Sequence, residues 1–444
     1  MVEDNNVRRH GMKNKIAFVT LGCKLNYAET STYERAFVRA GLQPVHWEDE
    51  ADLFLVNTCT VTEHSDKKCR NIIRKLHRLR PDAAIIVTGC YAQMKKEELG
   101  QLEGVKFVFG AEEKSAVVPS VLDWLEGNEC PVHESVTETV FPAYSTGERT
   151  RSFLKVQDGC DYFCAYCTVP YARGRSRNIP VASLVEQAGL IAASGIREIV
   201  LTGVNTGDFG KTTGESFLDL LKSLEQVEGI DRYRISSIEP NLLTEEIVDW
   251  IASGTKFLPH FHIPLQSGSD TVLREMGRRY DTGSFARKIE YIRERMEKAG
   301  GPKVFFGIDV IVGFPGETDA LFRETYSFLK ERIRPAFIHI FPYSKRSGTR
   351  AAARKDQVQD SVKTERVKIL EELCGKLHRE FVRGHRGLKA KVLFENTEKN
   401  GMMAGYTENY IRIERPFDPA LTGKIVETEF SDQDCEGNRT EPEE

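Results

Sequence analysis

Cys160, Cys164 and Cys167 stand in the stretch DGCDYFCAYC, a CxxxCxxC loop whose last cysteine follows an aromatic residue, Tyr166. A [4Fe–4S] cluster has four irons, so three thiolates leave one iron open for an incoming ligand, and that open iron is where chemistry happens. Zinc is the competing occupant, but a structural zinc site is normally closed by four ligands and this loop has no evident fourth. Three more cysteines end three apolar runs: KIAFVTLGC at Cys23, ADLFLVNTC at Cys59 and AAIIVTGC at Cys90. Any one of them alone is an ordinary small buried side chain. Three at the same point of three successive units suit an iron–sulfur cluster or zinc in a reducing compartment.

The elements that position the first trio are strands alternating with helical patterns at Tyr27–Ala40, His64–Leu79 and Gln93–Leu102. Such alternation predicts a doubly wound parallel sheet over residues 13–127, with ligands in the crevice beyond the strands' carboxyl ends. All three thiols fall there, close to the amino ends of the following helices, which favour anions. Cys69 shares an apolar helix face with Ile72, Ile73 and Leu76 and reads as core, while Lys67, Arg70, Arg74 and Arg78 form a basic stripe opposite. That stripe is either a solvated face or a track for a phosphate backbone, and the absence of acidic residues from Lys67 to Arg80 favours the second. Cys130, Cys374 and Cys435 take no role.

Residues 128–150 break the pattern and read as a linker. Six βα units then follow over 151–377, with strands near SFLKVQ, EIVLTG, YRISSI, FHIPLQ, FFGIDVIVG and AFIHIF. They predict an incomplete (β/α)6 barrel, whose polar, glycine-rich loops come just after the strands, on the face where barrel enzymes place chemistry. The cysteine loop is the first of these. Short alternating strands over 378–431 predict a small β-barrel, and residues 432–444 an acidic, disordered tail.

The bulk numbers fit this organisation. A chain of 444 residues with 40% hydrophobic content is too long for one core, and a net charge of −4 argues against a generally basic nucleic-acid binder. Ten cysteines spread over such a length do not form a secreted disulfide scaffold. The polar start MVEDNNVRRHGMKNK is not a signal peptide and no apolar run reaches membrane length, so the expectation is a cytoplasmic protein without a membrane partner.

The CxxxCxxC loop on the first unit of a partial barrel resembles the radical S-adenosylmethionine enzymes. The resemblance implies that S-adenosyl-L-methionine binds the open iron and is cleaved there to a 5′-deoxyadenosyl radical. It also implies that Tyr166 flanks the adenine, that Gly203 stands in the glycine-containing stretch meeting the methionine part, and that Glu239 and Gln266 lie near the cofactor. Here TGV replaces the Gly-Gly-Glu type of stretch found in many relatives.

Taken with Cys23, Cys59 and Cys90 and the stretch HIPLQSGSDTVLREMGRRY, nearly the whole chain looks like the methylthiotransferases. That family implies two [4Fe–4S] clusters, an auxiliary one on Cys23, Cys59 and Cys90 carrying the sulfur to be inserted, and a terminal TRAM-like RNA-binding domain. LGCKLNYAET is similar to the branch that modifies N6-threonylcarbamoyladenosine at position 37 of tRNA; the isopentenyladenosine branch usually has Gln-Met after the first cysteine and the ribosomal-protein branch Pro-Lys. The implied activity is insertion of a methylthio group at C2 of that adenosine, with the tRNA anticodon loop, an electron donor such as flavodoxin or ferredoxin, and a sulfur donor as partners. The alternatives are another methylthiolation target, isopentenyladenosine 37 of tRNA or a ribosomal-protein side chain, or a zinc-bearing RNA-binding protein without catalysis.

Overall fold

A computed structural model describes residues 14–128, 140–147, 150–297, 302–431 and 434. Cys130, Cys435, most of the expected linker and nearly all of the acidic tail lie outside the described residues. The chain divides into two compact units, Met1–Ser145 with Thr168–Arg175, and Thr146–Cys167 with Ser176–Glu444.

The first unit is built on a five-stranded parallel sheet of β1 (Lys15–Thr20), β2 (Gln43–Val45), β3 (Leu53–Thr58), β4 (Ala84–Gly89) and β5 (Val105–Phe109), in the order β2-β1-β3-β4-β5. Every residue of β3 and β4 is buried, which requires helices on both faces. Alternation along the strands divides the core. Leu53, Leu55 and Ile86 pack with Tyr33 and Phe37 of α1 (Lys24–Arg39) and Val117 and Val121 of α5 (Val117–Leu125). Phe54, Val56, Ile85 and Val87 pack with Cys69, Ile73 and Leu76 of α2 (Glu63–Leu79). Cys69 is therefore core, as its spacing predicts.

The helix expected over Gln93–Leu102 is instead two short ones, α3 (Cys90–Met94) and α4 (Lys96–Gly100). Lys95 between them leaves helical geometry at φ −139° and ψ 43°, and α3 starts at the cysteine itself. A last short helix, α6 (Val169–Arg173), belongs to this unit although it follows the CxxxCxxC loop in sequence.

The second unit contains a six-stranded parallel sheet whose order follows the chain: β6 (Arg151–Lys155), β9 (Glu198–Thr202), β10 (Arg232–Ile235), β11 (Phe257–Gln266), β12 (Phe305–Val312) and β13 (Phe337–Pro342). A two-residue ladder, β7 (Gln157–Asp158) with β8 (Arg177–Asn178), follows β6. Helices α7 (Val181–Ala193), α8 (Phe217–Glu225), α9 (Glu245–Ala252), α10 (Asp270–Met276), α11 (Thr282–Met296) and α12 (Asp319–Ser327) connect the strands. All six expected strands are present. After α13 (Asp360–Arg383), which covers β13 and buries Cys374 against Ile338, the chain forms an antiparallel sheet. Its strands are β14 (Lys389–Lys399), β15 (Met402–Thr407), β16 (Arg412–Pro416) and β17 (Ile425–Glu429).

That antiparallel sheet is held at the amino-terminal ends of the parallel strands. Arg151, Glu198 and Arg232 are neighbours across β6, β9 and β10. Arg232 donates to the carbonyl of Lys391 at 2.7 Å, and Arg234 to those of Thr407 and Glu408 at 2.8 and 2.9 Å. Arg151 donates to the Tyr410 hydroxyl and pairs with Glu395, both at 3.0 Å. Glu198, fully buried, accepts from Arg234 Nε at 2.7 Å. Burial alone would raise its pKa, but Arg234, Arg151 and Arg232 outweigh that and hold it below the usual carboxylate range.

Because that pKa is lowered on folding, Glu198 contributes stability that is present above its unfolded pKa of about 4.3 and lost as pH falls through the folded value. Glu198→Gln leaves buried guanidinium groups without their carboxylate and should cost about 3–5 kcal/mol at pH 7 in urea denaturation. The gap from the parent should close as the pH falls below about 4. Equal stability at pH 7 would contradict this account of the docking.

Candidate functional site

In the first unit, the ends of β1, β3 and β4 deliver Cys23, Cys59 and Cys90 to one place, and two glycines make the approach possible. Gly22 has φ +105°, and a Cβ there would lie 2.6 Å from Cys59 Cβ and 2.9 Å from its Sγ. Gly89 has φ +102°, and a Cβ there would lie 2.4 Å from the Thr58 carbonyl oxygen. Cys23 is the N-cap of α1 and Cys90 the first residue of α3, whereas Cys59 precedes α2 by a short loop. Burial pushes the Cys59 thiol up to about 12, with the neighbouring Cys23 and Cys90 adding to the shift. Burial likewise raises Cys90, against the pull of Arg173 and Lys114. Cys23 is exposed, and its sulfur lies close enough to add to the shifts of both buried thiols.

Polar groups tie this pocket together. Asn26 Nδ2 donates to the carbonyls of Leu21 and Thr58 at 2.8 and 3.0 Å, joining the chain before Cys23 to the residue before Cys59. Arg173 Nε donates to Cys90 Sγ at 3.0 Å, Nη2 to Asn26 Oδ1 at 2.6 Å and Nη1 to Glu29 Oε1 at 3.3 Å. Lys114 Nζ donates to the same Glu29 oxygen at 2.6 Å. Asn26, Glu29, Lys114 and Arg173 are all buried. Three neighbouring thiols with buried cations acting on one of them, Cys90, fit an anionic, thiolate-held cluster. None of these four carries a sequence signal of its own, although Asn26 lies within the LGCKLN stretch and Arg173 just after the second trio. In the basic stripe, Lys67, Arg74 and Arg78 are exposed, while Arg70 contacts the Tyr91 hydroxyl and Glu98.

In the second unit, the loop bearing Cys160, Cys164 and Cys167 follows β7. It turns at Gly159 (φ +76°) and Phe163 (φ +49°) and is pinned by Ala165 N on the Met276 carbonyl and Ala351 N on the Ala165 carbonyl, at 2.8 and 2.9 Å. Cys164 is buried; the other two are partly exposed. Burial pushes the Cys160 thiol up to about 11, and Cys164 and Glu239 add to the shift. Arg278, from the MGRRY stretch, donates to Cys164 Sγ at 3.1 Å and the Tyr166 hydroxyl at 3.5 Å, pairs with Glu239, and donates through Nε to the Tyr280 hydroxyl at 3.0 Å. Tyr280 in turn donates to the carbonyls of Pro264 and Leu265, beside Gln266, which ends β11 at φ +68°.

Gly203 joins the same region from β9. A Cβ there would lie 3.0 Å from Gln157 Oε1, and Gln157 Nε2 donates to the Gly159 carbonyl at 2.7 Å, one residue before Cys160. The structure thus gathers Tyr166, Glu239 and the Cys160–Cys167 loop around Arg278 and sets Gly203 just after β9 and Gln266 at the end of β11. Asn205, just past Gly203, is buried with both side-chain amide atoms lacking a hydrogen-bond partner among the described residues. Gln157 accepts from Asn205 N and donates to the Gly159 carbonyl, so this unspent polar capacity is tied to the start of the cysteine loop and suits a polar cofactor such as S-adenosylmethionine. Across β11, β12 and the edge strand β13, His262 Nε2 lies 2.6 Å from Asp309 Oδ1, and the His262 and His339 rings stack at 4.7 Å.

Residues 15–110 match the uncharacterized protein family UPF0004 and residues 154–329 the radical SAM superfamily. The chain is 38% identical to the threonylcarbamoyladenosine tRNA methylthiotransferase MtaB of Bacillus subtilis, over 94% of this chain and 93% of that one. It is 39% identical to the Aquifex aeolicus protein of the same name, over 90% and 96%. A tRNA-2-methylthio-N(6)-dimethylallyladenosine synthase from Carboxydothermus hydrogenoformans is 31% identical, over 93% and 96%. Among solved structures, the radical S-adenosylmethionine methyltransferase TsrM of Kitasatospora setae, with cobalamin and a [4Fe–4S] cluster bound, aligns with TM-score 0.56 at 15% identity, over 95% of this chain and 88% of that one, a likeness of fold.

Gly89→Ala should destabilise the first unit by more than 2 kcal/mol in chemical denaturation, because positive-φ strain adds to a backbone clash. Gly127→Ala, also at positive φ but with open space around its Cβ, should cost only about 1 kcal/mol. Equal costs would show that the close approach at Gly89 is not enforced.

Proposed function

The chain belongs to the radical S-adenosylmethionine methylthiotransferases, and from that premise we propose that it inserts a methylthio group at C2 of N6-threonylcarbamoyladenosine 37 in tRNA. The observation that carries this is the pairing of two cysteine trios in different units, one converging at the ends of β1, β3 and β4 and the other in a CxxxCxxC loop gripped by Arg278. The threonylcarbamoyl branch is supported by 38–39% identity to proteins of that name, against 31% to a dimethylallyladenosine synthase.

In this reading Cys160, Cys164 and Cys167 hold the [4Fe–4S] cluster that binds S-adenosylmethionine, and Cys23, Cys59 and Cys90 hold an auxiliary [4Fe–4S] cluster. When bound, these groups supply the radical that removes hydrogen from C2 and the sulfur that replaces it, with a second S-adenosylmethionine supplying the methyl group. Tyr166 flanks the adenine of the cofactor; Glu239, Gln266 and Gly203 with the neighbouring Asn205 line its polar part. Arg278 holds Cys164, Tyr166 and Glu239 in one network, and the chain's task is to keep these groups fixed while a base from the single-stranded anticodon loop enters.

The domain plan that goes with this is an N-terminal methylthiotransferase domain over 13–127, a partial (β/α)6 radical domain over 151–377 and a small TRAM-like β-barrel over 378–431 that binds RNA. The setting is the cytoplasm, with a flavodoxin- or ferredoxin-type electron donor and a separate sulfur donor. Among the described residues, no helix is long and apolar enough to cross a membrane.

Nucleoside analysis of tRNA from cells with and without the gene should show the methylthio mark on threonylcarbamoyladenosine only when the gene is present. A mark lost instead from isopentenyladenosine or from a ribosomal protein would assign the chain to another branch. With purified protein, Cys160→Ala should abolish formation of 5′-deoxyadenosine. Cys59→Ala should leave that cleavage in place while sulfur insertion stops; insertion persisting in Cys59→Ala would remove the auxiliary role.

A further inference from the structure

Arg173 has no counterpart in the chemistry described so far, yet it reaches all three loops of the first cysteine trio. Its Nε lies 3.0 Å from Cys90 Sγ, and its Nη2 holds the Asn26 oxygen at 2.6 Å. Asn26 in turn grips the carbonyls of Leu21 and Thr58, which lead into Cys23 and Cys59. Glu29, itself bound to Lys114, orients the third guanidinium nitrogen. Arg173 is 2% exposed, so its charge acts on the sulfur with little screening from water. An arginine rather than a lysine suits the task, because a planar fork can serve a sulfur, an amide oxygen and a carboxylate at once. The residue stands six positions after Cys167, on a segment that packs with the first unit.

We propose that Arg173 is a positioning residue for the auxiliary cluster: it fixes the three ligand loops and, through its charge on Cys90, sets the cluster's reduction potential. This rests on the assignment of that cluster to Cys23, Cys59 and Cys90. Adding an electron makes a thiolate-held cluster more negative, so a guanidinium on one ligand sulfur favours the reduced state, and hydrogen bonds to cluster sulfurs act in the same direction. Removing the charge should therefore make the cluster harder to reduce.

The test uses full-length protein in which Cys160, Cys164 and Cys167 are alanine, reconstituted anaerobically with iron and sulfide so that only the auxiliary cluster loads. Midpoint potential by titration followed with electron paramagnetic resonance, iron content and thermal melting are compared for this parent and for Arg173→Met, Arg173→Gln and Arg173→Lys added to it. The expected result is about four irons per chain, a more negative potential in the two neutral variants, and a smaller shift in Arg173→Lys. Cluster loading in Arg173→Lys but in neither neutral variant supports the same role. A loaded neutral variant that titrates at the parent potential overturns the proposal while leaving the cluster assignment intact, and loss of the cluster from Arg173→Lys as well overturns the role of charge. A parent that binds no cluster overturns both.

Discussion

Bringing three thiols together, two of them buried and the third, Cys23, open to solvent, is the constraint on which the structure turns. A thiol away from water resists ionisation, and three together resist it more, as the raised Cys59 shows. A group that gains from three anionic sulfurs, such as the proposed auxiliary cluster, would offset that cost. The parallel sheet supplies the convergence, since neighbouring parallel strands end side by side. Gly22 and Gly89 supply the closeness, because no side chain fits where their Cβ atoms would be. Arg173 and Lys114 supply charge that favours anionic sulfur at Cys90.

The second unit solves a related problem with a different backbone. There the three cysteines come from one short loop, held from outside by Met276 and Ala351. Arg278 plays toward Cys164 the part that Arg173 plays toward Cys90, a buried guanidinium at about hydrogen-bond distance from one sulfur. The cysteine loop follows the carboxyl-terminal ends of the parallel strands, whereas the antiparallel sheet is clamped to their amino-terminal ends by Arg151, Arg232 and Arg234 around Glu198. Docking of the antiparallel sheet at one end of the strands thus leaves the other end to the cysteine loop.

Much of this was legible in the sequence, for physical reasons that also mark its limits. Long apolar runs such as ADLFLVNTC and FFGIDVIVG read as buried strands, and β3 and β12 are buried along nearly their whole length. The edge strands β2 and β5 escaped notice because one is three residues long with a proline and the other is half-buried, so neither has a distinctive pattern. The split between α3 and α4 at Lys95 was also hidden, since the residues on either side suit a helix. The six cysteines stood out because thiols at repeated positions are rare. Asn26 and Arg173 did not, because they meet across 147 positions and a polar side chain that works through a long-range hydrogen bond leaves no period behind. Arg278 was visible only as part of a family-like stretch.

The proposed function requires two separate metal centres in the chain, each on three cysteines with one iron left open. Mössbauer spectroscopy with iron quantitation tests it most directly, on the reconstituted parent and on two variants in which one complete trio, Cys23, Cys59 and Cys90 or Cys160, Cys164 and Cys167, is alanine. The account predicts about eight irons per chain in the parent and about four in each variant, all as [4Fe–4S] clusters, with one iron of the Cys160–Cys167 cluster changing its signal when S-adenosylmethionine is added. About four irons in the parent, or zinc in place of iron at either trio, would contradict it.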